Sequence, residues 1–378
     1  MKLEPPIPTE VFAAIQAPFL EAEAISLDAP ILQPLGLLLD LAGETMRERL
    51  FVVQGDGPEA CLRPDFTVPA LRAHIESGRP SGRYFYSGHA FRVAPRGVDR
   101  PEEFPQVGLE AFEANDTALA DAEMAALAWR SALAGGRDDL TLLMGDVSLF
   151  GAFVDGLGLA APLTARLKRA VSSPRRLNME LAAAERPAAA PSNGGGHLSK
   201  LLSSLSEQEA VGVLEEIWAL SGVEPVGGRG AGEIVHRLAE RAHLAASPRL
   251  SADQSGLIRQ FLGISGEPEA CLRQIEALAG VGASAIKALI SDWARRLTAL
   301  ETAGAPRERM RFSAAFGRAF GYYDGVVFEV RSQALGEARP VAGGGRYDGL
   351  FARLGAKASV GAVGCMVRPG RAWKEAAA

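Results

Sequence analysis

The chain has 378 residues, 48% of them hydrophobic and 22% charged, which is the make-up of a folded globular protein with room for one large domain and a smaller one. Its formal net charge of −5 is opposite in sign to the basic face of a protein devoted to holding tRNA or DNA. Cys61, Cys271 and Cys365 are widely spaced and the five histidines form no Cys/His cluster, so neither a disulfide framework nor a metal site is expected.

The opening stretch "MKLEPPIPTE" lacks an apolar signal core, and no segment approaches the length of a membrane span; a cytoplasmic protein is expected. "PTEVFAAIQAPFLEAEA" suits an amphipathic helix with Thr9 as a candidate N-cap. "LFVVQGDGPEACLRPD" reads as strand, Gly-containing turn and strand, a hairpin, and "TVPALRAHIES" as a helix. "RYFYSGHAFRV" and "FPQVGLEAFEA" alternate apolar residues as strands do, on either side of the polar loop "APRGVDRPEE". The alanine-rich run from Asp116 to Ala134 is a helix.

Beyond Gly151 strand patterns fade and Ala, Leu, Glu and Arg dominate, so residues 151–310 read as a mainly helical insertion. It contains a low-complexity break, "RPAAAPSNGGGH", from Arg186 to His197. Strand patterns resume in "GYYDGVVFEVRS" and "ASVGAVGCMV". The expected fold is α+β: a mostly antiparallel sheet built from residues 1–150 and 311–378, interrupted by the helical insertion.

"GGGRYDG" (Gly343–Gly349) lacks the Lys-Ser/Thr pair of a P-loop and the spacing of a dinucleotide fingerprint, which leaves a turn or a pocket wall. Other segments place polar groups nearby. Asp65 and Thr67 follow a strand, Arg92 lies on a strand, and Gln106, Gly108 and Glu110 share one face of another by period two. Arg318, Tyr322 and Tyr323 join them from "GRAFGYYDG". Two carboxylates, an amide, a hydroxyl, arginines and phenols in one cavity suit a small zwitterion, with its cation on the carboxylates and its carboxylate on an arginine. Taken singly, Asp65 also suits a helix N-cap and the arginines surface ion pairs.

"LRPDFT", "FRVAPRGVDRPEEFPQVGLEAF", "YYDGVVFEV" and "GGRYDGLFARLG" together resemble the core of histidyl-tRNA synthetases and their paralogues, over about residues 10–150 and 310–370 and in the same order. The resemblance implies a class II synthetase-like antiparallel sheet flanked by helices, commonly dimeric, with "ILQPLGLLLDLAGE" on the dimer side. It also implies a histidine-binding set: Asp65 and Thr67 on the amino group, Gln106 and Glu110 as the amino-acid-binding pair, Arg92 and Arg318 on the carboxylate side, Tyr322 and Tyr323 beside the imidazole. "GGRYDG" then becomes pocket wall.

Departures from the synthetase pattern fall on the ATP and tRNA side. Ala94 stands where an acid helps hold adenine, Val367 replaces the glutamate before the closing Arg368, and Gly321 replaces an aspartate before the paired tyrosines. Only ten residues follow Arg368, so no anticodon-binding domain is expected. This pattern is similar to the regulatory-subunit paralogues of ATP phosphoribosyltransferase, as is "PVGGRGAGEIVHRLAER" within the insertion. That likeness implies a non-catalytic chain without cofactor that partners the short-form catalytic subunit in histidine biosynthesis. It further implies histidine as ligand and feedback inhibitor, a homodimer within a hetero-oligomer, and no tRNA. Two alternatives are a truncated synthetase-like enzyme that activates an amino acid with ATP, against which Ala94 and Val367 speak, and a free-standing histidine sensor.

Overall fold

The computed structural model describes residues 2–42, 44–55, 57–113, 116–171, 174–185, 205, 209–213, 216, 249–280, 284–317, 322–356 and 360–375. In chain order the first half runs α1 (Thr9–Leu20), β1 (Ile25–Ser26), β2 (Leu32–Pro34), α2 (Leu35–Ala42), β3 (Val52–Val53), β4 (Ala60–Leu62), α3 (Thr67–Ser77), β5 (Gly82–Phe91), β6 (Glu103–Phe112), α4 (Thr117–Leu133), β7 (Leu140–Asp146) and α5 (Val147–Gly156). There follow α6 (Ala161–Ala170), α7 (Pro174–Glu185), α8 (Ala252–Gly263), β8 (Ser265–Gly266), α9 (Pro268–Ala279) and α10 (Ser284–Thr302). The chain closes with β9 (Met310–Ser313), β10 (Val326–Ser332), β11 (Ala342–Arg346), α11 (Leu350–Arg353), β12 (Ala362–Val367) and α12 (Pro369–Ala372).

Nine strands form one sheet in the order β1-β5-β6-β12-β11-β10-β7-β9-β8, antiparallel except at β1–β5 and β7–β9. A small second sheet, β2-β4-β3, contains the expected hairpin. Alternation in "FPQVGLEAF" yields β6, which lies between β5 and β12 near the middle of the sheet; every residue from Gln106 to Phe112 is buried. The glycines of "GGGRYDG" form no turn: Gly343, Gly344 and Gly345 are the middle of β11, paired on both sides by β10 and β12.

One face of the sheet is packed by α2 and α3. Leu35, Leu38, Leu39 and Leu41 of α2 join Leu71 of α3, Tyr84, Phe112 and Tyr347 in one buried cluster. Each such leucine contributes about 1.5–3 kcal/mol by leaving water. The cluster fixes α3, and therefore Thr67 at its first turn, over β6. Helix α4 covers the other face: its alanines at 118, 122, 125, 126, 128 and 132 are buried and let the backbone approach the strands closely. Asp116 caps it by accepting from the N–H groups of Ala118 at 3.0 Å and Leu119 at 3.3 Å. No such cap exists at α1. Pro8, not Thr9, is the N-cap residue there, and Thr9 is already helical, so its hydroxyl is past the position from which it would cap.

The chain divides into two compact units, one of Met1–Gly156, Val171–Ser173 and Leu257–Ala378, the other of Leu157–Ala170 and Pro174–Gly256. Within the first, α10 packs on α4 and on the end of β7: Arg296 pairs with Asp121 of α4 at 2.8 Å, and Trp293 donates from Nε1 to Asp146 of β7 at 2.7 Å. The compact boundary consequently falls at Leu257, so α9, α10 and the edge strand β8, all inside the span read as an insertion, belong to the sheet-bearing unit. In the second unit α6 and α7 bury Leu163, Leu167, Leu177 and Leu181, and Arg166 pairs with Glu180 at 2.8 Å. The stretches Arg186–His197 and Pro225–Arg241 lie outside the described residues.

Candidate functional site

Glu110 is the centre of the site. Position 110 on β6 pairs with Tyr84 on β5 and Gly364 on β12, and its carboxylate points to the α3 face, where it is 2% exposed. A side chain at 364 would collide with the Glu110 carboxylate, so glycine is required there. Three hydroxyls converge on it. Thr67 donates to Oε1 at 2.9 Å, Tyr86 donates to Oε1 at 3.3 Å, and Tyr347 donates to Oε2. Burial pushes the Glu110 carboxyl up to about 8, against the opposing pull of the Tyr347 and Thr67 hydroxyls; the charge of Asp65 adds to the rise.

The surrounding cleft has about 310 Å³ of non-atom space, counting its open mouth. Asp65, Thr67, Arg92, Tyr322 and Tyr323 line it with Glu110, and Gly343, Gly344 and Gly364 form its floor. Asp65 sits in the turn between β4 and α3. It does not cap α3, whose N-cap residue is Phe66 and which has no side-chain cap. Tyr322 donates from its hydroxyl to Asp65 Oδ2 at 3.5 Å, and its ring lies 4.7 Å from that of Tyr323. Arg92 lies one residue past β5 rather than on it, since the strand ends at Phe91; its Nε donates to the Pro64 carbonyl at 2.8 Å. Burial drives the Tyr86, Tyr322 and Tyr347 phenols well above their usual range, so all three remain neutral donors.

Six of the eight residues read from the sequence thus meet in the cleft: Asp65, Thr67, Arg92, Glu110, Tyr322 and Tyr323. Gln106 shares the β6 face, yet it lies behind Met366, with Nε2 3.6 Å from the Met366 sulfur and Oε1 buried without a partner among the described residues. Arg318 and Gly321 lie outside the described residues. Tyr86 and Tyr347 are additional members. Tyr86 faces Gly108 across the β5–β6 ladder and fills the space a side chain at 108 would need, so a paired register would have found it. Tyr347 lies inside the glycine motif, whose spacing gives no sign of its contact with Glu110.

Chemically, the cleft offers two carboxylates and several hydroxyls to a cation, with one guanidinium at Arg92 for an anion. Among the described residues no group of three His, Cys, Asp or Glu side chains is placed to hold a metal ion, and no helix is long and apolar enough to cross a membrane.

Known proteins share this arrangement of elements and sequence. The family model for histidyl-tRNA synthetase matches residues 26–224 and 212–369. An ATP phosphoribosyltransferase regulatory subunit from Mesorhizobium japonicum is 37% identical over 369 residues, covering 94% of this chain and 95% of its own. One of the same description from Rhizobium meliloti is 35% identical over 360 residues, covering 92% of each. Among solved structures, an ATP phosphoribosyltransferase regulatory subunit/histidyl-tRNA synthetase from Bacillus halodurans superposes with a TM-score of 0.62 at 20% identity, covering 96% of this chain and 78% of that one. A histidyl-tRNA synthetase from Nostoc gives 0.59 at 17% identity, covering 96% and 69%. At such identities the two structures speak for the fold.

Proposed function

Because the chain belongs to the histidyl-tRNA synthetase family and, within it, to the ATP phosphoribosyltransferase regulatory subunits, we propose that it is the non-catalytic subunit of a cytoplasmic ATP phosphoribosyltransferase in histidine biosynthesis. Its partner is the short-form catalytic subunit, and its ligand is free histidine. The observation that carries the ligand is the buried Glu110 carboxylate with its three hydroxyl donors, open to a cleft that also holds Asp65. Burying a negative charge is costly unless it is paired, and a cation brought by the ligand supplies the pairing. An arriving ammonium or imidazolium therefore draws Glu110 into its ionised form, while Arg92 takes the ligand carboxylate.

Feedback inhibition follows if histidine binds one state of the complex better than the other. The usual coupling is about 1–3 kcal/mol, and it is reciprocal, so substrates of the catalytic chain weaken histidine binding by the same factor. The subunit assembles as a homodimer through Ile31–Glu44, where Ile31 and Leu32 are about half exposed on the single chain. Ala94 and Val367 speak against amino-acid activation.

Mixing the purified chain with a short catalytic subunit and following phosphoribosyl-ATP formation tests this. Activity is expected to appear on mixing and to fall when histidine is added. A catalytic chain that is fully active alone and indifferent to this one contradicts the reading. Histidine-dependent ATP–pyrophosphate exchange well above a blank would instead establish a synthetase-like enzyme.

A further inference from the structure

Arg63 lies one residue past β4 and is buried. Its Nε donates to the His89 carbonyl of β5 at 2.7 Å, and its NH1 donates to the Ala29 carbonyl between β1 and β2. Its backbone is tied to the same elements: the Arg63 N–H donates to the Ile31 carbonyl at 2.8 Å, and the Phe91 N–H donates to the Arg63 carbonyl at 3.0 Å. One residue thus joins the β1–β2 connection and β5 to the turn that carries Asp65 and Thr67. Burial lowers the Arg63 guanidinium from its usual range, and the charge of Asp28 works against that. A buried cation is unfavourable by itself, and a residue kept for stability alone would be as well served by an apolar side chain of similar volume.

The flat face of the guanidinium is also in use. It lies 4.3 Å from the centroid of the Phe66 ring, and Phe66 in turn stacks on Tyr86 at 4.3 Å with 6° between the planes. Gly88 shares the Tyr86 face of β5 by period two, and a Cβ there would stand 2.9 Å from Arg63 NH2 and 3.1 Å from Phe66 Cζ, so the stack needs glycine at 88. What the stack holds is a hydroxyl with two acceptors. Tyr86 reaches Glu110 Oε1 at 3.3 Å and the Cys365 carbonyl at 3.4 Å. Both bonds are long, and a small turn of the ring decides which acceptor it serves. Among the titratable groups around the Glu110 carboxyl, Asp65, Tyr322, Tyr347 and Cys365 face it besides Tyr86. The Tyr86 hydroxyl, like those of Tyr347 and Thr67, favours the ionised form.

We propose that Arg63 is a positioning residue for the Glu110 site: by fixing the Phe66–Tyr86 stack it keeps the Tyr86 hydroxyl on the carboxylate instead of on the Cys365 carbonyl alone. The effect on the carboxyl belongs to the ligand-free chain; only its consequence for histidine affinity rests on the function proposed above.

The test follows, against pH, the carboxyl infrared band of the full chain that Glu110→Gln abolishes. Arg63→Lys keeps the charge but loses the flat fork, and Gly88→Ala presses on the stack while leaving Arg63 in place, so the second variant decides if the first does not fold. Both are expected to move the Glu110 midpoint to higher pH, in the same direction as Tyr86→Phe, and to move it no further once Tyr86→Phe is present. Histidine, followed by calorimetry at neutral pH, is expected to bind roughly threefold to tenfold more weakly, with the gap closing as rising pH ionises Glu110 in every variant. A moved midpoint in a chain that binds no histidine still supports the positioning role and counts against the ligand instead. An unmoved midpoint in Gly88→Ala overturns the inference, whether or not affinity falls equally at every pH. So does a shift that adds fully to that of Tyr86→Phe, because Arg63 would then act by another route.

Discussion

The Glu110 cleft and the Arg368 cluster are two buried titratable sites whose charge is handled in opposite ways. Around Glu110 the protein supplies hydroxyls, and the cleft above stays open. Around Arg368 it supplies a carboxylate of its own, Glu4, held in place by the Glu4 N–H bond to the Glu103 carbonyl. An acid left among dipoles awaits a cation from outside; a charge paired from within is committed to the fold. A third site, Asp121 between Arg296 and Arg346, shows the fully structural case, with each guanidinium bonded at 2.8 Å. Ligand chemistry is thus to be sought where pairing is incomplete.

The largest effect that separates the two sites is on stability. Arg368→Ala strands the buried Glu4 carboxylate and is expected to lower unfolding free energy by about 3–5 kcal/mol, read by chemical denaturation. A loss under about 1 kcal/mol would mean that Glu4 relaxes into water and that the cluster is looser than its burial implies.

Glu110 has the opposite sign. Its folded carboxyl titrates near 8 against an ordinary 4.5, so the folded state holds a proton that the unfolded state has released throughout that window. Its contribution to stability therefore falls as pH rises from 4.5 to about 8. Glu110→Gln is expected to remove that slope, so that melting curves of the two proteins coincide at low pH and diverge, with the variant higher, toward pH 8. Parallel curves would show that Glu110 is ionised in the folded chain at all these values.

Binding gives the next effect. Glu110→Ala removes a charged partner of the ligand, typically about 1.5–3 kcal/mol, and should weaken histidine at least roughly tenfold by calorimetry. Tyr347→Phe removes one of the three hydroxyls and should cost about 0.5–1.5 kcal/mol of the same affinity. If Tyr347→Phe proves worse than Glu110→Ala, the phenol and not the carboxylate is the ligand's contact.

Local chemistry explains which parts of this were readable in the sequence. Periodicity marks β6 and sets Glu110 on one face, and the start of "TVPALRAHIES" fixes Thr67 on the first turn of α3. Tyr347 meets Glu110 across 237 positions and Tyr86 meets it only through strand register, and neither relation is written in any short stretch. The glycines before Tyr347 suggest a turn by their freedom, whereas their use is close approach: a Cβ at 344 would collide with the Gly364 carbonyl and one at 345 would stand 2.5 Å from the Val326 carbonyl. Glu4 and Arg368 stand 364 positions apart, and nothing local announces their pairing. Thr9 suits an N-cap by residue type, yet Pro8, with its fixed φ, takes the capping position.

The most direct test joins the cleft to the assembly. The short catalytic subunit is assayed for phosphoribosyl-ATP formation with the unsubstituted chain or with Glu110→Ala, each across a histidine titration. Both are expected to support activity, with the histidine inhibition curve of Glu110→Ala moved at least roughly tenfold to higher concentration. Superimposable inhibition curves would contradict a histidine site at Glu110.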